Sequence, residues 1–348
     1  AGMVDFIEAA GIPCFGPNAA AAQIEASKVF SKNLMKKYHI PTAGYEVFSD
    51  PAQALEYIKA QGTYPAVIKA DGLALGKGVV IAQNEAEAKA ALHSIMEDKI
   101  FGESGAQVVV EEFLTGPEVS VLAFTDGKTL CPMVSSMDHK RAYDGDKGPN
   151  TGGMGTISPN PFYTEKVAKR CMEEIFQPTV EAMNAEGRPF KGCLYFGLML
   201  TKGGPKVIEY NSRFGDPETQ VVLPRLKTDF AQIVEAVAHE RLGELSIQWD
   251  DRACACVVMA SGGYPGSYPK GLEIQGLDAG GQVSGVTVYH AGTKYEDGKF
   301  LTNGGRVLGV TALGDTLEEA LNQAYAGVEG ISFEGAMYRK DIGRTHRI

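Results

Sequence analysis

The stretch VIEYNSRFGDPETQ, Val207 to Gln220, starts as an apolar strand and ends as a run of polar groups. Side chains alternate faces along a strand, so Val207, Glu209 and Asn211 are expected on one face and Ile208 and Tyr210 on the other. Carboxylate and amide oxygens two residues apart on one face suit a hard cation such as Mg2+, which also takes phosphate oxygens. Glu209 and Asn211 are therefore candidate metal ligands. Arg213 and Asp216 follow on the turn, where a guanidinium fork grips a carboxylate and an aspartate receives an ammonium. A small zwitterion would satisfy both; an Arg–Asp turn salt bridge is the plain alternative.

Three further stretches carry chemistry. In VIKADGLALGKGVVI, Lys69 ends a strand and Lys77 lies in a loop containing Gly72, Gly76 and Gly78. Inward backbone N–H groups and two ammonium groups suit a polyphosphate. Gly78 stands where a Walker loop needs Ser or Thr, so the expectation is a flap between strands, or else a tight hairpin with exposed lysines. In VVVEEFLTGPEVS, Glu111, Glu112 or Glu118 can accept from vicinal ribose hydroxyls, and the strand edge from Glu111 through Phe113 to Leu114 can face an adenine. A solvated acidic strand end is the competing reading. In MDHKRAYDGDKGPNTGGMG, Asp138, Lys140 and Arg141 precede Gly152, Gly153 and Gly155, whose N–H groups can approach an anion. His139 has no second histidine at ligand spacing.

These groups must be positioned by alternating elements. Helical patterns cover 18–38, Asp50-Pro51 to Ala60, NEAEAKAALHSIMED, Thr164 to Ala185, DFAQIVEAVAHERLGEL and Thr316 to Val328. HIPTAGYEVF reads as a loop and a strand, and further strands are predicted at YPAVIKAD, GVVIAQ and QVVVEEFL, with a hairpin turning at Lys202 to Pro205. Residues 138–160 read as a long polar loop, unusual in a compact protein unless functional. From Ala253 the pattern changes to short strands with frequent glycines.

The 348 residues suit two or three domains, and 44% hydrophobic with 22% charged residues is ordinary globular composition. A net charge of -10 argues against nucleic acid or an anionic membrane as the main partner. Six scattered cysteines without a CxxC spacing read as reduced thiols. No stretch approaches the roughly 20 apolar residues of a bilayer span, and cytoplasmic is the default expectation.

Taken in order, these motifs resemble the phosphoribosylamine-glycine ligase family within the ATP-grasp superfamily. GPNAAAAQIEASKVFSKNLM, GPNTGGMG, VIEYNSRFGDPETQ, VVMASGGYPG and the TNGGRVLGVTALG and RKDIG stretches carry the likeness across nearly the whole chain. The resemblance implies an α+β chain with an ATP-grasp fold of two subdomains clasping ATP, a small C-terminal β-rich domain and a truncated N-terminal Rossmann-like portion. The expected divisions are 1–25 for the Rossmann-like remnant, 26–252 for the ATP-grasp domain with its nucleotide-clamping part at about 45–117, and 253–348 for the last domain.

It also implies that Lys28 and Lys69 reach ATP phosphates under the 72–78 loop, that Glu111 to Leu114 line adenine and that Glu118 holds ribose. Mg2+ or Mn2+ would sit at Glu209 and Asn211. Asp138, Lys140, Arg141, Arg213 and Asp216, with Gly304, Gly305 and Arg306, would face glycine and 5-phosphoribosylamine, in a monomer or weak homodimer. The implied reaction makes glycinamide ribonucleotide through glycyl phosphate, by positioning and charge neutralisation. Another ATP-grasp carboxylate-amine ligase, or an ATP-binding fragment without catalysis, are the rival readings.

Overall fold

The computed structural model describes residues 2–72 and 78–344 of the chain, so Gly76 and Lys77 lie outside the described residues. Helix α1 (Met3–Ala9) precedes α2 (Gln23–Ala26) and α3 (Lys28–Lys37). The single helix expected over 18–38 is broken at Ser27, whose backbone is extended and whose hydroxyl caps Phe30 N–H. Asp71 fixes the break by accepting from Ser27 Oγ at 2.9 Å and Val29 N–H at 2.8 Å. The N-terminus of α3 is thus tied to the start of the glycine loop.

Strands β1 (Tyr45–Phe48), β2 (Ala66–Ala70), β3 (Val79–Ala82) and β4 (Val108–Glu112) form one antiparallel sheet in the order β1-β4-β2-β3. Helices α4 (Pro51–Gln61) and α5 (Glu85–Leu92) pack on it, capped by Asp50 and Asn84. Their alanines, Ile58 and Leu92 meet Ile68, Val108 and Val110 in one apolar cluster.

Beyond it lie β5 (Glu118–Asp126), β6 (Leu130–Pro132), β7 (Met137–Asp138), β8 (Arg141–Tyr143), β9 (Lys147–Asn150), β10 (Gly155–Ser158), β11 (Lys191–Thr201) and β12 (Gly204–Asn211). A second sheet runs β12-β11-β5-β6. Helices α6 (Glu165–Cys171) and α7 (Gln177–Ala185), joined by a π-helical turn over Met172–Phe176, cover it and bury Ile175, Phe176 and Met183 against Phe196 and Tyr210. The loop expected at 138–160 is instead largely strand. β8 and β9 form a hairpin, while β7 and β10 join the last sheet.

That sheet runs β14-β17-β13-β10-β7, with β13 (Ala253–Ala260), β14 (Thr287–His290) and β17 (Arg306–Gly314); β15 (Thr293–Glu296) and β16 (Lys299–Thr302) make a separate hairpin. Gly155 to Ser158 pair with Val257 to Cys254, so the C-terminal sheet extends into chain that precedes residue 253. Hydrogen bonding does not follow the compositional change at that residue, because ladder partners are chosen in space. Helix α8 (Thr219–Val222) follows the site turn. Helix α9 (Phe230–Ala238) ends earlier than its pattern predicts, with His239 as C-cap and Glu240 at positive φ. Helix α10 (Leu317–Glu329) closes the chain's last core behind a Thr316–Glu319 capping box.

Candidate active site

A cavity of about 670 Å3 opens between the first and second sheets. Val67, Val79, Ile81, Met199 and Ile208 line an apolar slot, and Glu112, Phe113 and Leu114 supply the adjoining strand edge. A flat base fits such a slot, with backbone polar groups at its rim. Among the described residues, Gly72 and Gly78 do not line this cavity.

Lysines gather where the slot deepens. Lys69 is 5% exposed, its Nζ 3.0 Å from Glu111 Oε1 and donating to the Ile208 carbonyl at 3.1 Å. Glu111 Oε2 lies 3.0 Å from Lys32 Nζ, so this carboxylate is committed to two lysines and is not free for ribose. Sequence reasoning missed Lys32; its position one helical turn after Lys28, on the same face of α3, was the available signal. Lys28 donates to the Gly72 carbonyl at 3.0 Å and lines a small side cavity with Lys32, Lys69 and Glu209. Burial lowers the Lys28 ammonium, and it lowers Lys32 to about 8, against the raising effect of Glu111. Glu112 is exposed, at 3.5 Å from Lys206, while Glu118 pairs with Lys140 at 3.1 Å. The Glu118 charge is the chief reason the Lys140 ammonium is raised well above its usual range.

The metal candidates owe their direction to an irregularity. β12 pairs Glu209 with Gly197 but Val207 with Leu198, leaving Ile208 as an extra residue. A bulge of this kind shifts the alternation by one. Val207 and Tyr210 therefore both enter the core, and Ile208, Glu209 and Asn211 all line the cavity. The expectation that Val207 shares a face with Glu209 and Asn211 is corrected by this bulge. Gly197 leaves room for Glu209, since a Cβ there would lie 3.1 Å from its Cγ. Among the described residues the Glu209 carboxylate has no ion-pair partner, and no cluster of three acidic, cysteine or histidine residues could hold a metal. Two oxygen ligands beside lysines suit Mg2+, which keeps water and phosphate oxygens in its other positions.

The cavity is also lined by Lys140, Arg141, Asn150, Gly152, Arg213 and Asp216. Arg213 and Asp216 do not pair with each other. Arg213 Nε lies 3.5 Å from Glu25, and Asp216 meets Arg306 at 3.0 Å. Phe214 between them packs among Phe15, Phe124 and Phe230 at ring-centroid distances of 6.0 to 6.3 Å, which fixes the turn. Arg306 also donates to the Gly152 carbonyl at 2.7 Å, and stands behind this wall without lining the cavity. Gly304 and Gly305 likewise line no part of it.

Among the described residues Asp138 Oδ1 is buried without a hydrogen-bond partner, and burial, with Glu218 nearby, raises its carboxyl well above the usual range. Gly153, at φ 111°, passes so close that a Cβ would be 2.5 Å from this oxygen and 2.4 Å from Pro217. Glu218, which sequence reasoning missed, is 4% exposed and accepts from Ser120 Oγ at 3.1 Å and Tyr195 Oη at 3.0 Å. Its local pattern gave no signal, because its partners come from β5 and β11.

A two-sheet clasp with lysines above and a carboxylate-amide pair below defines an ATP-grasp fold. The biotin carboxylase domain of Hydrogenobacter thermophilus 2-oxoglutarate carboxylase shares this fold at 17% identity and a TM-score of 0.73, over 96% of this chain and 72% of that one. Residues 26–219 match the phosphoribosylglycinamide synthetase ATP-grasp (A) domain, and 254–345 match the C domain of the same synthetase. The chain belongs to the phosphoribosylamine-glycine ligase family. It is 52% identical to the ligase of Caldanaerobacter subterraneus over 98% of this chain and 81% of that protein. It is 49% identical to the ligase of Clostridium acetobutylicum over 99% and 82%. The crystal structure of the Thermotoga maritima ligase superimposes with a TM-score of 0.83 at 38% identity, covering 94% of this chain and 81% of that one.

Proposed function

We propose that the chain joins glycine to 5-phosphoribosylamine at the expense of ATP, giving glycinamide ribonucleotide, ADP and phosphate in purine biosynthesis. The observation that carries this reading is one cavity lined by Lys69, Glu209 and Asn211, by the apolar side chains of the slot and by Lys140, Arg141 and Arg213. Family membership supplies the substrates that fit these groups.

A glycine carboxylate oxygen attacks the γ-phosphorus, the bond to the β-phosphate bridging oxygen breaks, and ADP leaves. The ribosylamine nitrogen then attacks the carbonyl carbon of glycyl phosphate, the carbon-oxygen bond to phosphate breaks, and the amine releases a proton. Lys69 and Lys28 neutralise phosphate charge, and Phe113 and Leu114 border the base with Glu118 at the ribose. Arg213 and Lys140 orient the two anionic substrates, and Asp216 and Arg306 hold the turn behind them. Mg2+ or Mn2+ held by Glu209 and Asn211 would supply further charge neutralisation. Such a reaction runs on positioning and electrostatics, so no nucleophilic side chain is required.

On this reading residues 26–252, with 45–117 as the clamp, and 253–348, whose sheet is completed by β7 and β10, form the working units of a cytoplasmic monomer or weak homodimer. The test is to supply ATP, Mg2+, glycine and 5-phosphoribosylamine and to follow ADP together with glycinamide ribonucleotide by mass. Equimolar formation of the two, dependent on both substrates, is the expected result. ATP binding with no product would sink the reading.

A further inference from the structure

The RKDIG stretch lies far from the cavity in sequence and lines none of it, yet it builds a joint beneath one wall. Arg339 is fully buried, at 0% exposure. Its Nε and Nη2 donate to Asp341 at 2.8 and 2.9 Å, and its Nη1 donates to Asp146 at 2.8 Å and to the Arg141 carbonyl at 3.1 Å. Lys340 N–H donates to Asp144 at 2.8 Å, and Gly145 N–H donates back to Asp341 at 2.8 Å. Every residue of the 144–146 turn is therefore bonded to this short segment. The segment is itself held, because Tyr325 Oη donates to the Arg339 carbonyl at 2.7 Å and accepts from Ile342 N–H at 3.0 Å. Gly343 N–H donates to His139 Nε2 at 3.1 Å.

What the joint holds is the β8-β9 hairpin. The hairpin is mostly exposed, its two strands pair only with each other among the described residues, and its turn places both Gly145 and Asp146 at positive φ. Arg141, Asp146 and Asn150 from this hairpin line the cavity. A two-stranded hairpin is marginally stable by itself, so its position must come from contacts at its tip and base. A buried guanidinium fork bridging two carboxylates and a carbonyl is rigid in a way that a lysine's single ammonium is not.

We propose that Arg339 is a positioning residue for the ligase: with Asp341 it pins the β8-β9 hairpin, and so sets the half of the cavity that receives the phosphorylated amine. It acts through Arg141 and Asp146 and touches no substrate. The proposal rests on the ligase reading above.

The experiment compares the full chain with Arg339→Lys and, as a variant at an exposed site, Asp144→Ala, varying ATP, glycine and 5-phosphoribosylamine in turn. Hydrogen exchange of residues 141–150 is followed in parallel. Arg339→Lys is expected to raise KM for the phosphorylated amine by about tenfold or more, since small misplacements of a binding wall are costly. KM for ATP should stay within about twofold, and hairpin amides should exchange faster. Asp144→Ala should shift the same KM in the same direction by less. Equal changes in all three KM values, or a lowered melting temperature with every KM unchanged, would overturn the proposal and leave Arg339 a purely structural residue. If Arg339→Lys does not fold, the Asp144→Ala profile decides by the same criteria. Should the unaltered chain form no product, the ligase reading fails first, and the two failures are thereby separated.

Discussion

Glu111 Oε1 lies 3.0 Å from Lys69 Nζ, and the same carboxylate reaches Lys32 at 3.0 Å through its other oxygen. All three side chains are buried, at 5%, 6% and 2% exposure for Lys69, Glu111 and Lys32. Removing one member of such a cluster strands charge in the interior. Glu111→Gln is expected to cost about 3 to 5 kcal/mol of stability, measured by urea denaturation. Adding Lys32→Met should recover part of that loss, and strictly additive costs would rule out the coupling.

Glu209 and Asn211 should separate metal-dependent chemistry from folding. Either residue changed to alanine is expected to lower ADP formation by at least roughly a hundredfold, the scale of a few kcal/mol of lost charge stabilisation. Circular dichroism and melting temperature should stay near those of the unaltered chain, because neither residue belongs to an apolar core cluster. Near-normal turnover at saturating Mg2+ would remove the metal assignment.

Gly153 tests how tightly the wall at Asp138 is built. At φ 111°, with Pro217 and Asp138 within 2.5 Å of an added Cβ, Gly153→Ala must strain the backbone or shift the turn. The expected cost is about 1 to 3 kcal/mol of stability from strain. Turnover should fall by roughly a hundredfold, with nucleotide affinity by calorimetry nearly unchanged. A loss of nucleotide binding as large as the loss of turnover would contradict this division of the cavity.

His139 gives a signed dependence on pH. It is 3% exposed, its Nδ1 faces the Gly155 carbonyl at 3.1 Å, and its Nε2 accepts from Gly343 N–H. Burial, followed by the Arg339 charge, lowers it from 6.5 to about 4. Between these values the unfolded chain binds a proton that the folded chain refuses, so stability present above pH 6.5 is lost as pH falls through 4. The loss is about 3 kcal/mol in all. His139→Asn should be less stable at neutral pH but flatter across pH 6.5 to 4 in denaturant titrations. Identical acid slopes for the two proteins would refute the assignment.

The helix start at Asp50-Pro51, the alternating strands and helices, and the polar run at Glu209 to Asp216 were legible because each is a local matter of propensity and spacing. Local signals failed wherever a partner distant in the chain decided the outcome. Ser27 ends a helix because Asp71 accepts its hydroxyl and the Val29 N–H. Residues 155–158 form a strand because β13 lies beside them. Lys32, Glu218 and Arg339 become significant only through the groups that fold against them.

The sequence by itself determined which carboxylates, amides, lysines and glycines were available for phosphate and metal binding, and left a plainer structural use open for each stretch. Only the tertiary structure decided the directions. One extra residue at Ile208 turns Glu209 and Asn211 out of the register that would have kept them with Val207. The physical reason is that a side chain's face is set by which backbone groups pair across the sheet, and that pairing is a property of two strands, not of one.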